Sequence, residues 1–256
     1  MSHLHISIHD DRAALGRAAA DIAARSLRDA CDLKNAATLV VATGSSQCEV
    51  LAELAAVAAI PWQRITIFHL DEYVGLEPTH PASFRRFLRE RFIERLPSPP
   101  AAFHELDGMA GDPYAECDRL AGLVPQGPFD VAMIGIGENG HLAFNDPPAD
   151  FDTTVPYHVV DLDARCRQQQ VGEGWFPLLD AVPTQAISMS VQRILATGVL
   201  VCSVPDSRKA EAVQATVEGP ITPAVPASIL QQHPRCFLQL DREAASLLRP
   251  CDALAK

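Results

Sequence analysis

Apolar runs and amphipathic segments alternate along this chain, and the alternation predicts strands and helices in turn. An alternating segment at 4–8 predicts a half-exposed edge strand. Runs typical of buried strands lie at 37–43, 64–70, 129–134, 186–190, 199–204 and 235–240. Helical spacing marks the segments 10–33, 47–59, 81–92, 163–173 and 207–219. The order predicts a Rossmann-like α/β fold, with an open, mainly parallel sheet covered by helices on both faces, as a single domain over residues 1–256.

The amino-acid composition limits the kinds of molecule that this protein is expected to bind. Hydrophobic residues make up 48% of the 256, which is enough for a large core. The net charge of -11 disfavours nucleic acid and anionic membranes, and no apolar run is long enough to span a bilayer. The seven cysteines are scattered without a C-x-x-C pair, which fits reduced thiols better than disulfides or a zinc site. We expect a soluble, cytoplasmic protein.

One glycine-rich loop carries the strongest sign of chemistry. The segment 135–147, GIGENGHLAFNDP, directly follows the apolar run at 129–134. In α/β folds such loops lie at the ligand-binding edge of the sheet. His141 is suited to proton transfer near neutral pH, and glycines permit a close approach of the backbone to a ligand. These glycines are Gly135, Gly137 and Gly140. The pattern predicts an active-site loop.

The same loop formally matches the dinucleotide pattern G-x-G-x-x-G, and Asp161 follows at a suitable distance for a ribose contact. That pattern requires a helix to open at its third glycine. Pro147 and Pro148 follow too soon, and HLAFND lacks a helical apolar period. The catalytic interpretation is therefore favoured over a nicotinamide cofactor.

Three further loops follow predicted strands. ATGSSQ places Gly44, Ser45 and Ser46 at a helix start, where free N–H groups and hydroxyls either bind an anion or cap the helix. It lacks the G-K-[ST] of nucleotide phosphate loops. Lys209 lies in the first turn of another predicted helix, a position that suits an anionic ligand but also an ordinary surface lysine.

The remaining loop contains two adjacent acids, Asp71 and Glu72. Neighbouring residues of an extended chain point in opposite directions, so at most one of them faces the same cleft as His141. Asp71 directly follows the apolar Leu70 and is the better candidate, although an acidic pair at a strand end is commonly a turn cap.

Together these loops resemble the superfamily of glucosamine-6-phosphate deaminases and 6-phosphogluconolactonases, and most closely its deaminase/isomerase branch. The similarity covers nearly the whole chain in consistent order. The segments that carry it are ATGSS, LDEYVGLEPTHPASF, GENGHLAFNDP, AISMS, SRKAEAVQATVEG and ILQQHP. DEY (71–73) and AFN (143–145) are typical of the deaminases, whereas lactonases usually carry arginine after the acidic pair.

The resemblance implies a role for each matching residue. Asp71 would move a proton between C2 and C1 of an opened amino-sugar phosphate, and His141 would assist ring opening, oriented by Asp146 with Asn139 beside it. The implied substrate-binding residues are Thr43, Gly44, Ser45, Ser46, Glu72, Gly137 and Lys209. Neither a metal nor an organic cofactor is implied. The alternatives are a lactonase, in which His141 activates water, and a sugar-phosphate sensor without turnover.

The chain also departs from the family pattern. Asn139 and Asp146 stand where many deaminases carry aspartate and glutamate, and a phosphate-binding arginine is not found in QQQVGEGWF, 168–176. Arg165 and Arg167 are the nearest candidates to replace it. PPADFDTT replaces the segment that carries allosteric activation in some hexameric members, so a homo-oligomer is possible but hexamer formation and allostery are not implied.

Overall fold

The computed structural model describes residues 4–249, so Cys251 lies outside the described range. Within that range the strands are β1 (Leu4–His9), β2 (Ala37–Val41), β3 (Ile65–His69), β4 (Asp71–Tyr73), β5 (Ala102–His104), β6 (Phe129–Ile134), β7 (Tyr157–Asp161), β8 (Gln185–Met189), β9 (Thr197–Val204) and β10 (Cys236–Asp241). The α-helices are α1 (Arg12–Lys34), α2 (Cys48–Ala56), α3 (Phe84–Arg91), α4 (Pro113–Ala121), α5 (Ala164–Gly172), α6 (Val191–Leu195) and α7 (Ala210–Glu218).

The large sheet has seven strands in the order β1-β10-β9-β6-β2-β3-β5, and every neighbouring pair in it is parallel. The predicted α/β class and the edge position of the first strand are both confirmed. The order proceeds from β2 through β3 to β5 in one direction and from β6 to β9 in the other. The gap between β2 and β6 is therefore the switch point, where open sheets of this kind bind their ligands.

Helices cover both faces of this sheet, as the long apolar runs predict. On β2, Val40 belongs to one buried cluster, while Leu39 and Val41 belong to another on the opposite face. The first cluster includes residues of α4, α6 and α7; the second includes residues of α1, α2 and α3. A Cβ at Gly16 would lie 2.9 Å from the Cβ of Glu49, so this glycine permits the close packing of α1 on α2.

A second sheet has three strands in the order β4-β8-β7, and both of its pairings are antiparallel. The prediction that AISMS continues the large sheet is therefore wrong: it forms β8 of the small sheet. The acidic pair also lies in a strand, β4, rather than in a loop. Both segments are short and buried, and periodicity alone cannot assign such a strand to one sheet or another.

Several predicted helices begin later than expected. The helix predicted at 81–92 begins at Phe84 with Ser83 as its cap, so Pro81 lies before it. Short 3-10 turns, Ser45–Gln47 and Ser207–Lys209, precede α2 and α7. Helix α7 ends before Gly219, as predicted. In residues 4–249 no helix combines the length and apolarity needed to cross a membrane.

Candidate active site

A cavity opens at the carboxyl ends of the central strands, at the switch point. The space between the surrounding loops has a volume of about 580 Å³, part of which is open to solvent. It brings together the loops that follow β2, β3, β6 and β9. The predicted site residues that line it are Thr43, Gly44, Ser45, Ser46, Asp71, Gly137, His141 and Lys209. Asp71 and His141, 70 positions apart in the sequence, therefore face the same space.

Asp71 is one of the two acidic residues in the described part of the chain that line this cavity. It is 5% exposed, and no other residue in 4–249 forms a hydrogen bond or ion pair with its carboxylate. Burial, followed by the nearby charge of Glu72, raises the pKa of Asp71 well above its usual value. A buried carboxylate without a partner is costly to keep, and a raised pKa makes it a stronger base.

Glu72 points away from the cavity, as expected for the neighbour of Asp71 on an extended chain. Its carboxylate accepts hydrogen bonds from the N–H groups of Tyr73 (2.9 Å), Phe84 (3.2 Å) and Arg85 (2.7 Å) and from the Ser83 hydroxyl (3.0 Å). Burial nevertheless raises the pKa of Glu72. The structure places this residue at the start of α3, where it satisfies free N–H groups, and not among the groups that line the cavity.

His141 is held by Asp146. The two side chains are 11% and 7% exposed, and His141 Nδ1 lies 3.1 Å from Asp146 Oδ1. A carboxylate at Nδ1 favours the proton on that nitrogen, which leaves Nε2 as the acceptor. Nε2 lies against Gly137, where a Cβ would overlap the imidazole ring. Gly137 is thus required for space; among the three glycines of the loop, only Gly140 has a positive φ, at 85°.

Asn139 and Asp146 support the histidine from behind and do not line the cavity. The Asn139 amide donates to Asp146 (2.9 Å) and Asp163 (3.2 Å), while its oxygen accepts from the His141 N–H (3.1 Å). Burial acts to raise the pKa of Asp146, but His141, Asn139 and the Asp163 N–H outweigh it, and the pKa is lowered. Asp146 therefore stays ionised beside the imidazole.

One group of potential metal ligands occurs within residues 4–249. It consists of His141, Asp146 and Cys166, whose ligand atoms lie within 4.8 Å of one another. The pKa of the Cys166 thiol is raised, first by burial and then by Asp146 and Asp163. A metal site needs the thiolate, and this environment favours the protonated thiol. The group therefore fits a hydrogen-bonded support for the histidine better than a metal centre.

Strand β8 contacts both the segment of Asp71 and the segment that follows His141. Asp71 pairs with Ser188 of β8 across the small sheet. The Ser188 hydroxyl also accepts from the Phe144 N–H at 3.1 Å, in the segment that follows His141. The Asn145 amide adds bonds to Ser188 (3.2 Å) and to the Met189 carbonyl (2.9 Å). The AFN element thus links the His141 loop to β8, the strand that pairs with Asp71 of β4.

Another part of the cavity lining carries groups that suit an anion. Gly44 has a φ of 93°, which turns the chain into the 3-10 helix Ser45–Gln47 so that hydroxyls and N–H groups face the cavity. Lys209 reaches the same space and is only 5% exposed. Burial lowers the pKa of Lys209, although Glu173 and Glu138 act in the other direction. We call Ser45, Ser46 and Lys209 the anion cradle.

Helix α5 contributes residues that sequence reasoning missed. Gln169, Gln170 and Glu173 line the cavity, and the Glu173 carboxylate lies 3.6 Å from Lys209 Nζ. Arg165 and Arg167 do not line it, and Arg167 donates instead to backbone carbonyls. The departure of 168–176 from the family pattern marks this segment in the sequence. It indicates that the phosphate-binding arginine is missing, but it does not indicate that Glu173 enters the cavity.

Comparisons with known proteins agree with this architecture. Residues 10–238 match the family of glucosamine-6-phosphate isomerases and 6-phosphogluconolactonases. A glucosamine-6-phosphate deaminase of Lactobacillus delbrueckii subsp. bulgaricus is 36% identical over 92% of this chain and 95% of its own. Glucosamine-6-phosphate deaminase 1 of Bacillus subtilis is 37% identical over 88% of this chain and 93% of its own.

Solved structures show the same relationship. A monomeric glucosamine-6-phosphate deaminase superposes with a TM-score of 0.87 at 34% identity, over 95% of this chain and 99% of its own. A 6-phosphogluconolactonase from Trypanosoma brucei shares the fold, with a TM-score of 0.78 at 18% identity over 97% of this chain and all of its own. By sequence match and by fold, this chain belongs to the glucosamine-6-phosphate isomerase and 6-phosphogluconolactonase family.

Proposed function

We propose that this protein is a glucosamine-6-phosphate deaminase, which converts glucosamine 6-phosphate, or a closely related amino-sugar phosphate, and water into fructose 6-phosphate and ammonia. The observation that carries the proposal is the common cavity of Asp71 and His141, with the anion cradle at its other end. The names of the relatives with 34 to 37% identity support the same substrate.

We assign the opening of the sugar ring to His141. With Nδ1 held by Asp146, Nε2 accepts the proton of the C1 hydroxyl and returns it to the ring oxygen, which breaks the C1–O bond and gives the open aldose. Asp146 keeps the imidazole in one tautomer and stabilises its charged form while the proton is in transit. Asn139 holds Asp146 in place.

We assign the isomerisation step to Asp71. Its carboxylate removes the proton from C2 to give an enolamine and returns it to C1, which leaves a ketimine at C2. Water adds to the ketimine carbon, and ammonia leaves. The substrate's own nitrogen carries the electronic change, so the proposal needs no metal or organic cofactor. None of the described residues 4–249 bonds to the Asp71 carboxylate, which matches this task because the base must be free to take a proton.

The phosphate is assigned to the anion cradle, where Lys209 supplies the charge and Ser45 and Ser46 supply hydrogen bonds. We infer a cytoplasmic location, supported by the six free cysteines among residues 4–249. A homo-oligomer remains a prediction, and the similar solved deaminase is monomeric.

Ammonia release from glucosamine 6-phosphate by the purified protein tests the proposal. We expect ammonia and fructose 6-phosphate in equal amounts and no hydrolysis of 6-phosphogluconolactone above background. Rapid lactone hydrolysis without ammonia would establish the lactonase alternative. Tight binding of sugar phosphates in calorimetry, with turnover of neither substrate, would establish the sensor.

A further inference from the structure

The anion cradle already contains a carboxylate from the protein itself. Glu173 Oε2 accepts hydrogen bonds from the Ser45 hydroxyl and the Trp175 indole N–H, each at 3.2 Å. Oε1 accepts from the Gln169 amide at 2.8 Å and lies 3.6 Å from Lys209 Nζ. The Glu173 side chain is 5% exposed, so the contact is a buried one.

These are the contacts that a phosphate group would make. A hydroxyl, an indole N–H, an amide N–H and an ammonium surround one negative group, and two of them come from residues assigned to the substrate phosphate, Ser45 and Lys209. A phosphate dianion in the same place would meet the carboxylate at close range, between side chains that are only 5 to 6% exposed. Like charges at such a distance repel strongly, so the two anions exclude each other.

We propose that Glu173 is a built-in competitor of the substrate phosphate: its carboxylate fills the anion cradle of the unliganded protein and must leave before phosphate binds. The residue thereby determines the affinity of the site for the phosphate group. The assignment of the cradle to phosphate rests on the proposed function.

A carboxylate in the cradle also explains how Lys209 is tolerated there. An ammonium that is 5% exposed requires a counter-charge, and burial alone lowers the pKa of Lys209. Glu173 is the nearer of the two carboxylates, since Glu138 lies 3.9 Å from Nζ and does not line the cavity. The Glu173 carboxylate thus balances the charge of Lys209 before substrate binds. The phosphate then replaces this carboxylate as the counter-ion of the ammonium.

The backbone around Glu173 lets its side chain leave while the helix remains intact. Helix α5 ends in a hydrogen-bonded turn in which Gly174 N–H donates to Val171 O and Trp175 N–H donates to Gln170 O, each at 3.0 Å. Gly174 has a φ of 80°, typical of the residue that closes such a turn. These hydrogen bonds hold the backbone on either side of Glu173, so the proposal requires only a rotation of its side chain.

Binding of inorganic phosphate tests the proposal without reference to turnover. We compare the wild type with Glu173→Gln, which keeps the shape of the side chain and removes its charge. The matched control is Glu138→Gln, which removes a charge beside Lys209 from outside the cavity. Glu173→Gln should lower the phosphate dissociation constant by about tenfold, as expected when an occluded state is most of the population. Glu138→Gln should change it by less than about threefold.

No gain in Glu173→Gln, weaker binding in it, or an equal gain in both variants overturns the proposal. An equal gain would mean that only the net charge around Lys209 matters. Weaker binding would mean that Glu173 supports the cradle. Absence of ammonia release by the wild type would refute the deaminase assignment but leaves these binding constants interpretable, so the two failures are distinguishable.

Tryptophan fluorescence gives a second measurement on the wild-type protein. Trp175 donates to Glu173, whereas Trp62, the other tryptophan, is fully buried in the core on the α1 side of the sheet. Phosphate should change the emission of Trp175 when the carboxylate leaves, and Trp175→Phe should abolish that change. Phosphate binding that is detected by calorimetry but leaves the emission constant would show that Glu173 does not move.

Discussion

The two ends of the cavity hold their carboxylates in opposite ways. Asp71 is buried with no partner among residues 4–249, and its pKa is raised. The Glu173 side chain is also only 5% exposed, yet three hydrogen bonds and an ammonium surround its carboxylate. Under the proposed function, the first arrangement costs stability and leaves the base free to react, and the second balances the charge of a site that later binds a phosphate. Burial alone therefore does not define the role of an acid, whereas its partners do.

The largest effect on this comparison should come from Asp71→Asn. An amide cannot take the C2 proton, so kcat for ammonia release should fall by about 10²- to 10⁴-fold, while the affinity for phosphate stays close to that of the wild type. Glu72→Gln is the matched control, because it changes the adjacent acid outside the cavity and should lower kcat far less. A near-normal rate in Asp71→Asn would show that another group is the base.

The next largest effect should come from Gly137→Ala. The added Cβ would overlap the His141 ring and displace it, and small misplacements of a catalytic group cost about 10²-fold in kcat. Gly111→Ala adds the same methyl group where no atom lies within 4 Å, so it should be neutral. Equal kcat values for the two variants would mean that the position of the imidazole is unimportant.

At the anion end, Lys209→Ala should chiefly raise the Michaelis constant. Loss of a charged contact of about 1 to 3 kcal/mol corresponds to an increase of about five- to 150-fold, with a smaller change in kcat. Lys34→Ala is a suitable control, because Lys34 pairs with Asp130 away from the cavity. An unchanged Michaelis constant would remove Lys209 from the phosphate site.

Asn139→Asp, which introduces the residue that the family resemblance leads us to expect at this position, should destabilise this protein. The variant would replace an amide that donates to Asp146 and Asp163 with a third carboxylate beside them. We expect a loss of about 1 to 3 kcal/mol in the free energy of unfolding at pH 7, decreasing as the pH falls and the carboxylates are protonated. Thermal unfolding from pH 7 to pH 4 checks this, with Asn139→Ser as the uncharged control. A stability of Asn139→Asp equal to that of the wild type would contradict it.

The smallest effect is a gain in stability. Because the pKa of Asp71 is raised in the folded state, its ionisation opposes folding: the penalty is absent below the unfolded pKa, near 4, and grows as pH rises through the folded pKa. Asp71→Asn removes that penalty, so the variant should be more stable than the wild type at neutral pH, by about 1 kcal/mol, and no more stable at pH 3. A pH-independent difference would be evidence against a raised pKa of Asp71 in the folded protein.

Much of this arrangement could be predicted from the sequence. Long buried runs identified five strands of the large sheet, and loops that follow parallel strands meet at one edge, which brought Asp71, His141 and Lys209 together. The strands of the small sheet were missed or misassigned because they have three to five residues and lack a diagnostic period. The position of Glu173 could not be predicted for a different reason. Charge complementarity predicts basic and polar side chains in an anion site, and only the contact between Glu173 and Lys209 in the folded chain shows an acid there.

The shared anchorage of β4 and of the His141 loop on β8 has a structural consequence. Ser188 pairs with Asp71 and also bonds to Phe144 and Asn145, so a substitution that displaces this one residue would disturb the positions of Asp71 and His141 together.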